Sequence, residues 1–275
     1  GTTMAVILES LDDLAARVPD GTLLAVPPDY AGVAMAATRA LIRRRARGLH
    51  LLAVPTSGLQ ADLLIGAGAV ATLEAAAVTL GEHGMAPCFA RAVRAGAIAL
   101  KDSTCPAIHA ALQAAEKGVP FLPLRGLIGS DVLRHRADWK LTVNPFDPDD
   151  PIVVLPALRP DVALFHAALA DREGNVWIGR RRELVTMAHA AVQTLVTVEA
   201  IQDARLLDDP LRAAGTLPAL YVQAVVVAPR GAWPLGFEDR YGPDDAHLGR
   251  YVRAAATAEG FARYLAENVL DARAA

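Results

Sequence analysis

An α/β fold is predicted for this chain: one domain built on an open, largely parallel sheet covered by helices on both faces. Three observations predict it. Short apolar runs rich in Val, Leu and Ile alternate with segments of helical period along the 275 residues. Several of those runs are almost continuously apolar, as strands buried on both faces must be. No composition break or long linker divides the chain, since Asp147–Pro151 (DPDDP) reads as a loop rather than a boundary.

Taken in order, the strand candidates are 22–26, 49–54, 62–65, 98–100, 119–122, 152–155, 162–166, 175–178, 195–198 and 219–227. The helix candidates are 11–16, 31–47, 86–95, 106–117, 184–191 and 245–267, the last a C-terminal helix that packs on the domain or on a partner. Pro106 suits a first helical turn, where its missing donor costs nothing. Pro120 and Pro123 remove two backbone donors from the run 119–124, so that strand is excluded from an ordinary central ladder. The Gly-rich segment that follows it, through Arg125 to Asp131, is read as a turn that could also hold a ligand. Residues 1–3, ahead of Met4, read as an expression remnant, and the single-domain assignment covers 1–275.

Composition excludes several classes. Apolar residues reach 53%, too many for disorder, yet no uninterrupted run is long enough for a bilayer span, and no leader is expected. A net charge of −3 provides no broad positive field for nucleic acid or anionic lipid. The arginines at 43, 44, 45 and 47 read as cations at a helix C-terminus before Gly48, and Arg180–Arg182 as a loop facing solvent or an anion. Two cysteines, Cys88 and Cys105, make neither a disulfide framework nor a zinc knuckle and suit a reducing cytoplasm.

Catalytic signals are thin. The seven histidines show no metal-ligand spacing, and no nucleophile elbow, Walker loop or dinucleotide fingerprint is present. His166 ends a buried strand and reads as a structural histidine. Cys105 precedes Pro106 near a helix start but has no base placed beside it, and reads as a small buried residue. Glu199 closes the run Val196–Glu199 and could be a base, a nucleophile or a structural acceptor. No complete catalytic set emerges.

A set of ordered matches goes further. Asp62–Gly66 with Gly68 is followed by Gly118–Pro123, Asn144-Pro145-Phe146, Pro156-Ala157 and Pro160–Ala163. Then come Asp171 with Gly174-Asn175, Val196–Glu199, Pro229, Gly231-Ala232, Pro234, Tyr241 and Asp244. In this order the chain resembles the α subunit of class I CoA-transferases, the glutaconate CoA-transferase type in particular, from about residue 11 to 265. The resemblance implies an acyl-CoA substrate, no bound cofactor, a homologous β subunit in a heterodimer or α2β2 assembly, and an active site between the two. It also implies that the attacking Glu belongs to the β subunit, with CoA transfer between carboxylic acids as the reaction. Relatives of the same scaffold decarboxylate glutaconyl-type CoA esters or open rings by hydrolysis, and a non-catalytic ligand-binding role is a further alternative.

One departure is plain. Where the family carries a Gly-Gly-Phe loop after its first strand, this chain has Val26-Pro27-Pro28, then Asp29, Tyr30 and Gly32. Two prolines stiffen a loop that glycines would leave free to approach a ligand. Because ligands of open α/β sheets sit beyond the carboxyl ends of strands, the substrate pocket is expected on two post-strand loops. One is 27–32, with Pro27 and Pro28. The other is 56–59, with the Ser57 hydroxyl and the Gly58 amide as donors to a substrate carboxylate.

Overall fold

The computed structural model describes residues 5–271; the expected remnant at 1–3 lies outside the described residues. Its strands are β1 (Val6–Leu8), β2 (Leu23–Val26), β3 (Leu49–Ala53), β4 (Thr56–Ser57), β5 (Val70–Ala75), β6 (Ala77–Val78), β7 (Ala99–Asp102), β8 (Phe121–Leu124), β9 (Lys140–Val143), β10 (Pro151–Pro156), β11 (Val162–Asp171), β12 (Val176–Trp177), β13 (Gln193–Gln202), β14 (Thr216–Leu217) and β15 (Ala224–Val227). Its helices are α1 (Leu11–Ala15), α2 (Met35–Arg43), α3 (Leu59–Gly66), α4 (Pro87–Ala95), α5 (Cys105–Lys117), α6 (Asp131–Arg134), α7 (Arg182–Ala190), α8 (Asp245–Ala255) and α9 (Ala258–Leu265).

The main sheet runs β1-β15-β13-β11-β2-β3-β5-β7, parallel throughout, with β12 and β14 added antiparallel beside β11. Apolar cores lie on both faces. One gathers Leu41, Leu51, Leu63 and Tyr251 under α1–α3, α8 and α9; the other gathers Phe165, Val196, Leu112 and Met187 under α5 and α7. Strands β11 and β13 are the long apolar runs at the centre, and burial on both faces is why their sequences barely alternate. From β2 the chain builds outward through β3, β5 and β7; from β11 it builds the other way through β13 and β15. The order therefore reverses between β2 and β11, which opens a crevice beyond their carboxyl ends.

A second sheet, β8-β10-β9, is antiparallel and packs on α5 through Val153, Leu155 and Trp139. The proline-bearing strand β8 is an edge strand there, as its lost donors require. Arg125, on the segment that follows, forks onto the Asp150 carboxylate at 3.0 and 2.5 Å, so that turn is tied down by the chain itself.

Several expectations are corrected. Residues 62–65 are helical, inside α3. That helix is buried from Leu59 to Ile65, so its sequence carries no amphipathic period to separate it from a buried strand. The strand follows at β5. Helix 31–47 shortens to α2, because Gly32 (φ 99°) and Arg45 (φ 63°) take left-handed backbone at its two ends. Arg45, not Gly48, makes the first left-handed turn, while Arg44 pairs with Asp20 at 3.2 Å. The helix 245–267 is broken in two. Thr257 is extended and its hydroxyl accepts from the Gly260 amide at 3.0 Å, starting α9 afresh. This segment packs on the domain through Tyr251, Phe261 and Val269. The strand 219–227 begins only at Ala224, after a turn of 3₁₀ helix at Ala219–Tyr221. Strands 119–122 and 152–155 belong to the small antiparallel sheet rather than the parallel one. Cys105 is exposed at the first position of α5, not buried; Cys88 is the buried cysteine.

Candidate functional site

The β2–α2 loop leaves the sheet at the reversal point and crosses onto β11. There the backbones nearly touch: His166 donates its amide to the Gly32 carbonyl at 2.8 Å, and a Cβ on Gly32 would stand 2.1 Å from the His166 carbonyl oxygen. Glycine is required for both that approach and the positive φ. Arg181 clamps the same loop by donating to the Ala31 carbonyl at 3.1 Å, and its guanidinium pairs with Glu238 at 2.9 Å. Of the basic run 180–182, Arg181 thus turns inward to the protein.

Behind the loop lies a closed polar cluster. Parallel pairing puts His166 opposite Thr197, two residues before Glu199. His166 is fully buried. Its Nε2 lies 2.6 Å from Glu199 Oε2 and its Nδ1 lies 2.7 Å from Thr197 Oγ1. Glu199 also accepts from the Arg230 amide at 3.1 Å and the Tyr241 hydroxyl at 3.3 Å. Burial pushes the Glu199 carboxyl up, but the His166 bond and the Arg230 and Gly231 amides outweigh it and leave the group below its ordinary range. Burial pushes His166 down, against the pull of Glu199, so the imidazole is neutral and donates from Nε2 to an ionised carboxylate. A carboxylate held by this many donors is a poor base and a poor nucleophile. Of the three roles open to Glu199, structural acceptor is the one this geometry serves.

An open cleft of about 410 Å³ lies beside the loop. Its apolar wall is Leu59 from α3, Leu80, Leu235, and Leu248 with Val252 from α8. Its polar lining is acidic: Asp29, Glu82, Glu238 and Asp245, the last 3.1 Å from His83. Asp29 is the unusual member. Its Oδ1 is buried and, among the described residues, has no hydrogen-bond partner. Burial raises its pKa to about 6, and the facing Gly58 amide only partly offsets that.

The two segments expected to form the pocket do meet, although 56–59 is strand β4 and the start of α3 rather than a loop. Asp29 Oδ2 sits 2.6 Å from where a Cβ of Gly58 would be, so Gly58 faces a carboxylate, but the chain's own. The individual residues divide differently. Pro27 and Pro28 are buried under the loop and do not line the cleft. Ser57 is buried as well, and its Oγ accepts from the Ala61 amide at 3.2 Å, holding the start of α3. Sequence reasoning passes over Asp29, although a lone acid between two prolines and a glycine is an available signal. The wall from α8 and residues 235–238 has none, because nothing local ties those positions to residue 29.

Neither cysteine enters the cleft's lining. Burial and the neighbouring Asp62 push the Cys88 thiol up to about 12. Among the described residues no group of three His, Cys, Asp or Glu side chains is placed to hold a metal ion, and no helix is long and apolar enough to cross a membrane.

A parallel sheet with a switch-point crevice defines a class of ligand-binding α/β folds, and comparison narrows it. Residues 8–228 match the Coenzyme A transferase family, and the chain belongs to that family. It is 32% identical over 229 residues to the A subunit of glutaconate CoA-transferase from Acidaminococcus fermentans, covering 76% of this chain and 71% of that protein. It is 30% identical over 273 residues to the A subunit of 3-oxoadipate CoA-transferase from Pseudomonas knackmussii, covering 97% and 94%. An uncharacterized protein of Archaeoglobus fulgidus is 32% identical over 234 residues, and there the chain spans only 51% of the relative's length. Among solved structures, glutaconate coenzyme A-transferase from A. fermentans superposes with a TM-score of 0.87 at 27% identity, over 97% of this chain and 89% of that one. A variant of the decarboxylase AibA/AibB superposes with 0.82 at 30% identity, over 96% and 99%. The expected α-subunit likeness to the glutaconate CoA-transferase type is thereby met.

Proposed function

We propose that this chain is the A-type subunit of a heteromeric acyl-CoA enzyme that transfers CoA between carboxylic acids, and that a homologous partner supplies the attacking Glu. The observation that carries the proposal is the state of this chain's own nucleophile candidates. Glu199 is locked by its donors, Cys88 is buried and protonated, and Cys105 lies away from the cleft. A chain whose Glu199, Cys88 and Cys105 are not offered to the cleft, and which is similar to the A subunits of two CoA-transferases, fits half of a shared site. An exposed apolar groove of about 480 Å³ on the small sheet, walled by Phe121, Pro123, Ile152 and Phe146, is a surface of the kind that a partner covers.

In this reading the partner's carboxylate attacks the thioester carbonyl and the CoA thiolate leaves, giving an acyl-glutamyl anhydride. The thiolate then attacks the glutamyl carbonyl, which releases the donor acid and leaves CoA on the partner's Glu. The acceptor carboxylate reverses these steps. This chain contributes the wall that orients the acyl group. The test is co-expression with the homologous partner and assay of CoA transfer to a carboxylate. The pair turns over and the isolated chain does not; robust turnover by the isolated chain overturns the proposal.

A decarboxylase is the second reading, favoured by the superposition on nearly all of the AibA/AibB decarboxylase chain. It predicts CO2 release from a glutaconyl-type CoA ester with no acceptor acid required.

A further inference from the structure

We propose that the cleft between the β2–α2 loop, the start of α3 and helix α8 receives an uncharged, apolar acyl group, and that Asp29 and Glu82 exclude acyl groups ending in a second carboxylate. This rests on the acyl-CoA reading above and adds the substrate class.

Three observations carry it. First, the inner wall consists of the branched side chains of Leu59, Leu80, Leu235, Leu248 and Val252, and a volume of about 410 Å³ suits a chain of several methylenes. Second, every ionisable group of the lining apart from His83 and Tyr30 is a carboxyl, and among the described lining residues none is Lys or Arg. His83 is engaged by Asp245 at 3.1 Å, and Arg181, which reaches Glu238 from outside the lining, is engaged by that carboxylate and by the Ala31 carbonyl. A terminal carboxylate entering here would be desolvated beside like charges with no cation to meet it. Third, Asp29 Oδ1 is buried with no hydrogen-bond partner among the described residues. A neutral ligand can lie against that oxygen without opposing its charge, whereas an anionic one sets two carboxylates against each other.

Such a cleft sets this chain apart from what its relatives' names describe. Glutaconate and 3-oxoadipate are both dicarboxylates, and the enzymes named for them must accommodate a distal carboxylate. Here the Pro27-Pro28-Asp29 sequence of the β2–α2 loop puts an acid at the cleft.

The test uses the assembled enzyme and two acyl donors of equal length, hexanoyl-CoA and adipoyl-CoA. Hexanoyl-CoA is expected to be favoured by about 100-fold in kcat/KM, the scale of discrimination against a buried unpaired charge. Glu82→Lys and Asp29→Asn are each expected to shrink that ratio about tenfold, and Val252→Trp, which fills the cleft, to lower the hexanoyl-to-acetyl ratio about tenfold. Equal or better use of adipoyl-CoA overturns the proposal, as does a chain-length preference that Val252→Trp leaves unchanged. If the assembled protein turns over neither donor, the acyl-CoA reading fails by itself, and the cleft is judged by NMR titration of the purified chain with hexanamide and with adipamate, its analogue bearing a distal carboxylate. Preferential binding of hexanamide, lost in Val252→Trp, upholds the uncharged-ligand assignment; absence of binding, or preference for adipamate, overturns it.

Discussion

Asp29 shows how a single side chain can be set against stability by its surroundings. Its pKa rises from the ordinary 3.8 to about 6 through burial. The raised value means that the folded protein holds a proton which the unfolded chain has already lost. Stability from this group is fully present below about pH 3.8 and declines as pH climbs to about 6; above that, the full penalty remains. The shift corresponds to up to about 3 kcal/mol. Asp29→Asn is therefore expected to raise the urea midpoint at pH 7.5 and to have little effect at pH 4, and a flat difference across that range would show that Asp29 is ionised without cost. Glu199 runs the other way. Glu199→Ala strands the His166 ring and two amides, and is expected to cost about 3 kcal/mol in denaturation at pH 7.

At the scale of elements, the β2–α2 loop depends on one close approach. Gly32→Ala places a Cβ against the His166 carbonyl and forces an L-residue to φ 99°, so the loop must shift. A loss of about 2 kcal/mol or more is expected, together with a fall in acyl-CoA turnover of the assembled enzyme, because Asp29 moves with the loop; wild-type stability would show that the approach is slack. Ser57 belongs to this scale too. Its sequence position suggests a hydroxyl that serves a substrate, but its Oγ accepts from the Ala61 amide at the start of α3. Ser57→Ala should cost about 1 kcal/mol in denaturation, visible without any substrate. The resemblance motif Asp171–Asn175 has a similar character: Asp171 accepts from the Asn175 amide at 3.1 Å and the Leu206 amide at 2.9 Å, while Asn175 accepts from the Ala219 amide at 2.8 Å. These residues lock three turns together rather than meet a ligand.

For the whole molecule, the reversal of strand order between β2 and β11 opens the crevice beside which the cleft lies, and the proposed reaction takes its nucleophile from a partner chain. Purified alone it should bind without turnover, and size-exclusion chromatography of the co-expressed pair should show one stable complex. A pair that elutes as separate chains while still turning over would remove the shared site.

The apolar runs alone determined the parallel sheet: β11 and β13 are buried on both faces, and only strands of that kind read as continuous hydrophobic segments. The turn chemistry also placed the 27–32 loop at the carboxyl end of β2, and Pro120 with Pro123 predicted the edge position of β8, whereas the expected loop 56–59 is strand β4 and the start of α3. Residues 62–65 escaped because a helix buried all round has no period to reveal it. What only the tertiary structure decided is which side chains meet across long stretches of chain. His166 finds Glu199 through the register of two parallel strands, and Asp29 faces a wall from α8 more than two hundred residues away. Burial and neighbouring charge, which set the chemistry of both carboxylates, are properties of those meetings and have no local signature in the sequence.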